Sequence, residues 1–197
     1  NLSDTVTVAD EADSGKFAAD EQTCGIKAGD QLTLEDLLNG LLLYSGNDNA
    51  VAIADHIAGS TEKFAEMMNA EAKKLMATNS HFVNPSGLHD DNHYTTAYDL
   101  YLIFNECIKH DEFVKIINSS SYTAHITGAD GTKRDVKWEP TNYYAKGEAT
   151  PPDNVTIIGG KNGTTKGAGN CLILLTKDSS GNPYISIIMG AASKPLL

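Results

Sequence analysis

The sequence DQLTLEDLLNGLLLYSGNDNAVAIADHIAGS, residues 30–60, contains two helical patterns separated by a short polar break. Thr33 followed by Asp36 is typical of a helix cap, and a second apolar pattern ends at Gly59. Leucines recur at helical spacing in the first pattern, at positions 34, 37, 38, 41 and 42. The stretch therefore predicts two buried helices joined by a turn.

The polar break itself is richer than a turn requires. Gly46 alone would account for a change of chain direction, yet Ser45 and Asn47 flank it and Asp48 follows. A hydroxyl and a carboxamide two residues apart across a turn are able to point at one spot. The break is therefore a candidate functional site.

The rest of the chain changes from helices to strands. A third helix is predicted from Ser60, with Phe64, Met67, Met68 and Leu75 on its apolar side, and Thr96 with Asp99 caps a fourth. Runs with strand character lie at 122–126, 134–138, 155–158, 171–176 and 184–189. Helices first and hairpin-linked strands afterwards predict an α+β fold, in one domain over residues 1–197.

Composition excludes some partners. The net charge is −11, with 26 acidic against 15 basic residues, and such a surface lacks the cations that a nucleic acid needs. No apolar run approaches the length of a membrane span. The three cysteines have no Cys-x-x-Cys spacing, so neither a disulfide framework nor a zinc knuckle is indicated.

A second chemical candidate is the sequence GGKNGTT at residues 159–165, directly after a predicted strand. Glycines around Lys161 would let a substrate backbone lie close, while the ammonium attracts an anion. The nucleotide-loop pattern fails because Asn162 follows the lysine. Taken alone, the stretch is equally consistent with a Gly-rich hairpin turn.

Ser-x-Asn followed by Lys-x-Gly supplies two of the three signatures of serine acyl-transferases. Together with residues 30–60, the stretches HFVNPSGLHDDNHYTTAYDL (81–100) and IIGGKNGTTKGAG (157–169) resemble the low-molecular-weight D-alanyl-D-alanine carboxypeptidases of the S11 peptidase family. The resemblance runs from about Val6 to Ala191. It implies a β-lactamase/transpeptidase-like fold, with helices packed on an antiparallel sheet.

The resemblance also implies a role for each motif residue. Ser45 would relay a proton to the leaving amine, Asn47 would donate a hydrogen bond to the substrate, and Lys161 would bind the substrate carboxylate. Candidate substrate-binding residues are Asn162, Gly163 and Thr164, the last through a backbone N–H of the oxyanion hole. Asn162 departs from the family, where Thr is usual, although an amide still donates to a carboxylate.

The third signature, Ser-x-x-Lys, supplies the nucleophile in the family and lies upstream of Ser-x-Asn. Before Ser45 only Ser3 and Ser14 occur, and neither has a lysine three residues later. The single Ser-x-x-Lys match is Ser60 with Lys63, on the wrong side, where Ser60 is a good helix N-cap. We therefore expect an incomplete fold, with the family's first strands and nucleophile helix preceding Asn1.

The implied reaction is acyl transfer on peptidoglycan stem peptides ending in D-Ala-D-Ala, without a cofactor, at the outer face of a bacterial cytoplasmic membrane. β-Lactams would acylate the nucleophilic serine of the parent protein. These residues alone are expected to be inactive, and loss of a covering helix would expose apolar faces, favouring a dimer. The alternative is a natural pseudoenzyme, a binding module for carboxylate-terminated peptides.

Weaker candidates stand beside this one. His81, His89 and His93 could indicate a metal site, but the residues between them are typical of a loop, so no metal is predicted. Glu66 and Asn69 are one residue too close for the deacylating motif of class A β-lactamases. Trp138 is more consistent with packing than with a substrate groove, and Tyr143 and Tyr144 are left open.

Overall fold

The computed structural model describes residues 1–193, which form two compact units. Helices and antiparallel sheets are both present, which confirms the α+β class. Among the described residues, no helix combines the length and apolar character needed to cross a bilayer. The first unit comprises residues 1–66, 84–86 and 121–140, and the second comprises 67–83, 87–120 and the described residues from 141 onward.

The first unit is built on a four-stranded antiparallel sheet in the order β1-β2-β3-β4. Its largest fully buried side chain is Trp138, which stacks on Tyr122, so the packing role predicted for this tryptophan is confirmed. The strands are β1 (Thr5–Thr7), β2 (Gln31–Thr33), β3 (Tyr122–Thr127) and β4 (Lys133–Trp138). The helices are α1 (Leu34–Asn39), a π-helical turn (Gly40–Tyr44), α2 (Asn47–Ala58) and the beginning of α3 (Thr61–Lys74).

The second unit has a three-stranded antiparallel sheet in the order β5-β6-β7. Phe104, Ile117 and Leu175 form its buried cluster, which joins the helices to the sheet. Its elements include α4 (Ala97–Cys107), α5 (Asp111–Ile117), β5 (Val155–Thr165), β6 (Gly169–Asp178) and β7 (Pro183–Ala191).

Both predicted helix caps are confirmed. The Thr33 hydroxyl accepts from the N–H of Asp36 at 3.0 Å, and the Asp36 carboxylate accepts from the N–H of Thr33 at 2.8 Å. The same carboxylate also accepts from the Tyr122 hydroxyl at 3.0 Å, which ties α1 to β3. Thr96 caps α4 by accepting from the N–H of Asp99 at 3.1 Å.

Of the two interpretations of residues 159–165, a lysine motif on a sheet edge and a Gly-rich hairpin turn, the turn is wrong. Strand β5 continues through Thr165, so the whole Gly-rich stretch lies within it. Gly159 is required there because a Cβ would lie 2.2 Å from the carbonyl oxygen of Ile117 at the end of α5. Glycine therefore permits close packing of a helix on the strand, and α5 itself was not predicted.

One prediction about exposure needs correction. Met67, expected on the buried side of α3, is 49% exposed. In the helix over 34–42, Leu37 is fully buried and the other leucines are half-buried, so this apolar face is only partly covered. The predicted dimer through exposed core residues stays a prediction.

The carboxylate of Asp48 is the main polar anchor of the first unit. It is fully buried and accepts four backbone N–H groups. Oδ1 accepts from Cys24 at 2.8 Å and from Asn49 at 2.9 Å, while Oδ2 accepts from Gly25 at 3.0 Å and Ile26 at 3.3 Å. The carboxylate thereby holds the chain before β2 against the start of α2.

Asp48→Asn is expected to destabilise the protein by about 3 kcal/mol, because an NH2 group would face backbone donors that are left without an acceptor. The change is measurable by urea unfolding. Asp55→Asn, a half-buried position in the same helix, serves as the control and should change stability by less than about 0.5 kcal/mol. Equal effects of the two substitutions would contradict the anchoring role of Asp48.

Candidate active site

Ser45 adopts a left-handed backbone conformation at the end of the π-helical turn. Its φ is 69° and ψ is 39°, and its N–H donates to the carbonyl of Gly40. The next N–H, from Gly46, donates to the same carbonyl at 3.1 Å. A non-glycine residue in this region costs energy and is typical of functional turns. Sequence therefore places a serine where glycine would be easier.

Asn47 begins α2 and is held by a residue that sequence reasoning missed. Its backbone N–H and its side-chain Nδ2 both donate to the carbonyl oxygen of Gln22, at 2.9 and 3.0 Å. The carboxamide is half-buried and has a fixed orientation. No sequence pattern indicated Gln22, because its backbone carbonyl makes the contact and its side chain does not.

Lys161 lies in the middle of β5, opposite Ile173 of β6. Loss of hydration lowers the pKa of its side chain to about 8, and its Nζ donates to the carbonyl of Asn162. The ammonium is therefore still mainly protonated at pH 7 but poorly hydrated. Such a group gains more from a bound anion than a fully hydrated lysine does.

The three residues after Lys161 continue along the same strand. The carboxamide Oδ1 of Asn162 accepts from the Thr141 hydroxyl at 2.8 Å. A Cβ on Gly163 would meet no described atom within 4 Å, so the space beside this glycine is open. The Thr164 hydroxyl donates to the Asn170 side chain at 3.1 Å.

Strand β5 lies at one end of its sheet, since β6 is its only partner strand among the described residues. An end strand offers backbone N–H and C=O groups to an added extended chain. The structure thus brings Lys161, Asn162, Gly163 and Thr164 together on β5, and Ser45 and Asn47 together at the start of α2. Convergence of the two groups on one groove stays a prediction.

The histidine candidates lie in the loop that follows α3. Among the described residues, no cluster of three or more His, Cys, Asp or Glu side chains is arranged to hold a metal. His89 instead packs on Gly167, where a Cβ would lie 2.4 Å from the imidazole, and pairs with Asp91 at 3.3 Å. His93 and His89 line a cavity of about 480 Å³ in the second unit that Thr165 also borders.

Two alternatives suggested by the sequence have structural explanations. The hydroxyl of Ser60 accepts from the N–H of Lys63 at 3.2 Å, as an N-cap of α3 does. The carboxamide of Asn69 makes two hydrogen bonds to the backbone of Phe82: Nδ2 donates to the carbonyl at 2.7 Å, and Oδ1 accepts from the N–H at 2.8 Å. Neither residue is placed as a catalytic group by these contacts.

The family model for D-alanyl-D-alanine carboxypeptidases, Peptidase S11, matches residues 1–193. The chain belongs to this family. The resemblance seen in the sequence is therefore confirmed. Because the match includes residues 45–47 and 161–163, the Ser-x-Asn and Lys-x-Gly motifs both lie within the family region.

Curated relatives and solved structures agree with this assignment. The D-alanyl-D-alanine carboxypeptidase DacD of Escherichia coli is 34% identical over 170 residues, covering 85% of this chain and 40% of the relative. DacF of Bacillus subtilis is 32% identical over 126 residues, covering 55% of this chain and 32% of the relative. The chain therefore spans less than half the length of these two relatives.

The solved structures confirm the transpeptidase-like fold. A Streptomyces K15 DD-transpeptidase superposes with a TM-score of 0.88 at 29% identity, covering 99% of this chain and 74% of that chain. Penicillin-binding protein 5 from Haemophilus influenzae gives a TM-score of 0.83 at 28% identity, covering 98% of this chain and 52% of that chain.

The strained backbone of Ser45 predicts an unusual order of stability. Ser45→Gly is expected to be more stable than Ser45→Ala by about 1 kcal/mol, because only glycine relieves the left-handed conformation. The control pair is Glu66→Gly and Glu66→Ala, at an exposed position in α3, where alanine should be favoured by about 1 kcal/mol. Urea unfolding of the four variants measures the difference in stability between the Gly and Ala variants at each position. If alanine is favoured at both positions, Ser45 does not have a strained left-handed backbone.

The Lys161 ammonium is expected to titrate with a midpoint near pH 8. Because its pKa is lower in the folded than in the unfolded chain, stability should rise as the pH increases from about 8 toward the usual lysine range. NMR of the lysine side-chain carbons measures the midpoint, and Lys161→Arg assigns the signal by its loss. An ordinary lysine midpoint would show that the group is well hydrated.

Proposed function

We propose that this chain contributes the Ser-x-Asn and Lys-x-Gly parts of a serine-type D-Ala-D-Ala carboxypeptidase that acts on peptidoglycan stem peptides. The observation that carries the proposal is the position of Lys161, a half-buried lysine on the end strand of a sheet in a chain of this family. A peptide that ends in a carboxylate matches both features, because it can pair with the strand while its anion meets the ammonium.

Substrate binding would use the residues of β5. The terminal carboxylate lies against Lys161 and the amide of Asn162, and the peptide backbone runs along the side of the strand that faces away from β6. Gly163 has no side chain, and the space beside it is open for the ligand. Lys161 therefore attracts the carboxylate by its charge, while hydrogen bonds to β5 determine how the peptide is aligned along the strand.

The chemistry would be acyl transfer. The hydroxyl of a serine gives its proton to the lysine of its Ser-x-x-Lys motif, and its oxygen attacks the carbonyl carbon of the penultimate D-Ala, forming an ester while the C–N bond to the terminal D-Ala breaks. Ser45 passes a proton to the leaving amine, and Asn47 hydrogen-bonds the substrate peptide. The N–H of Thr164 stabilises the developing oxyanion together with the N–H of the nucleophile. Water then hydrolyses the ester.

The attacking serine would have to come from outside the motifs present in these 197 residues. Their only Ser-x-x-Lys is Ser60 to Lys63, and the Ser60 hydroxyl caps α3. We therefore expect no acylation of this chain by itself. The parent protein would act at the outer face of the bacterial cytoplasmic membrane, where β-lactams acylate its serine.

The second candidate function is a binding module without catalysis, favoured by the same observation about Ser60. Such a pseudoenzyme would recognise carboxylate-terminated peptides through Lys161 and release them unchanged. Both candidates require the β5 anion site, and they differ only in the covalent step. A labelling experiment separates them.

A fluorescent penicillin is expected to leave the 197-residue chain unlabelled after denaturing electrophoresis. A longer protein that carries a Ser-x-x-Lys helix upstream should be labelled, and its Lys161→Ala variant should be labelled much more slowly while unfolding at nearly the same urea concentration. Covalent labelling of the 197 residues would overturn the account of the nucleophile. An unlabelled longer protein would favour the pseudoenzyme.

The anion site predicts pH-dependent binding by the 197-residue chain. A peptide ending in D-Ala-D-Ala with a free carboxylate should shift the amide signals of residues 161–164 in NMR, whereas the same peptide with an amidated end should bind about tenfold more weakly. Binding should weaken as the pH rises through about 8, where Lys161 loses its proton. Equal affinity for acid and amide would refute Lys161 as the carboxylate anchor.

A further inference from the structure

We infer that Thr141 is a positioning residue for carboxylate recognition, a role that rests on the proposed function of β5. Thr141 acts through Asn162: its hydroxyl donates to the carboxamide Oδ1 at 2.8 Å. Both residues are half-buried and belong to the second unit. Twenty-one positions separate them in sequence, so no local pattern predicts the contact.

The segment that carries Thr141 is well anchored. The next residue, Asn142, is only 5% exposed. Its carboxamide oxygen accepts from the N–H of Tyr144 at 2.9 Å, and its carbonyl accepts from the N–H of Lys146 at 3.0 Å. Thr141 therefore presents its hydroxyl from a fixed backbone, as a positioning residue requires.

The bond determines which end of the Asn162 carboxamide is available. A carboxamide has one acceptor oxygen and one NH2 group with two donors. Because the oxygen accepts from Thr141, the NH2 group is turned to the other side of the side chain. A carboxylate accepts hydrogen bonds and does not donate them, so this orientation suits an anionic ligand and the reverse orientation opposes it.

The arrangement gives the asparagine at position 162 a defined partner. Where the family usually has a Thr, this chain has Asn162 and a threonine at 141 that contacts it. A threonine hydroxyl is thus still present, but it orients the NH2 group of Asn162 instead of donating to the ligand itself. Recognition of the carboxylate is shared between an ammonium at 161 and an amide whose orientation is set from 141.

Removing the Thr141 hydroxyl should break the hydrogen bond that orients the Asn162 carboxamide. In Thr141→Val the shape of the side chain is kept, but the half-buried Oδ1 of Asn162 loses its donor. The carboxamide is then no longer held with its NH2 group outward. Thr141→Ser keeps the hydroxyl and should keep the orientation.

The test measures binding of the peptide ending in D-Ala-D-Ala to the 197-residue chain by NMR. Thr141→Val is expected to weaken binding about three- to tenfold, the range that follows from loss of one hydrogen bond. Thr141→Ser should restore binding to within about twofold of the parent chain. Thr156→Val, an exposed threonine on the same strand, is the matched control and should leave binding unchanged.

The double variant Thr141→Val/Asn162→Ala distinguishes positioning from a direct contact. If Thr141 acts through Asn162, the double variant binds no more weakly than Asn162→Ala alone. Additive losses would overturn the inference. The side-chain NH2 signals of Asn162 give a readout without ligand: they should move in Thr141→Val and stay in place in Thr156→Val, and unmoved signals in both would also overturn it.

The same measurements distinguish failure of the proposed function from failure of the positioning role. If the unmutated 197-residue chain does not bind the acid peptide although the Asn162 signals respond to Thr141→Val, the anion site proposed on β5 is wrong. The role of Thr141 in carboxylate recognition is then wrong as well. If the unmutated 197-residue chain and Thr141→Val bind the acid peptide equally well, the proposed function stands and the positioning role of Thr141 is wrong. Dispersed spectra of each variant establish that it folds.

Discussion

The first unit depends on one buried carboxylate that is stabilised by hydrogen bonds from the backbone and, among the described residues, not by a cation. Burial raises the pKa of Asp48, while the N–H groups of Cys24, Gly25, Ile26 and Asn49 oppose that rise. An isolated buried charge would be very costly, so the hydrogen bonds must all be present together. The chain before β2 and the start of α2 are thereby fixed as one structure, and the Ser45 turn is attached to it.

Close packing adds a second constraint at the same place. A Cβ on Gly40 would lie 2.0 Å from the side-chain nitrogen of Asn49, and that nitrogen donates to the carbonyl of Leu37 at 3.0 Å. The two helices therefore approach each other at a glycine and a carboxamide. The glycine of the polar break has a packing role as well, since a Cβ on Gly46 would lie 2.5 Å from the Sγ of Cys24.

In the second unit, the corresponding constraint is the contact between α5 and β5 at Gly159. A helix that packs this closely removes water from one side of the strand. Burial of Lys161 on the same strand lowers the pKa of its ammonium to about 8. A supported strand with a poorly hydrated cation is a suitable platform for an anionic peptide end.

Sequence patterns predicted most of the helices because those helices are amphipathic and capped by Thr33 and Thr96, which are local signals. They missed α5 and the short strands β1 and β2, because three-residue strands and a seven-residue helix carry too little periodicity to stand out. For residues 159–165 the sequence left a Gly-rich turn open beside a sheet edge, because glycine permits close approach as well as turns. The contacts of Gln22 and Thr141 join distant positions, so a single sequence contains no signal for them.

The π-helical turn at Gly40–Tyr44 has a consequence for how this part of the chain can diverge. A π-helical turn contains one residue more than the α-helical turn it replaces. Loss of a single residue there would restore a regular helix and rotate everything that follows by about 100°, which would carry Ser45 away from its present direction. The number of residues between Leu37 and Ser45 is therefore constrained by geometry, independently of which apolar side chains fill those positions.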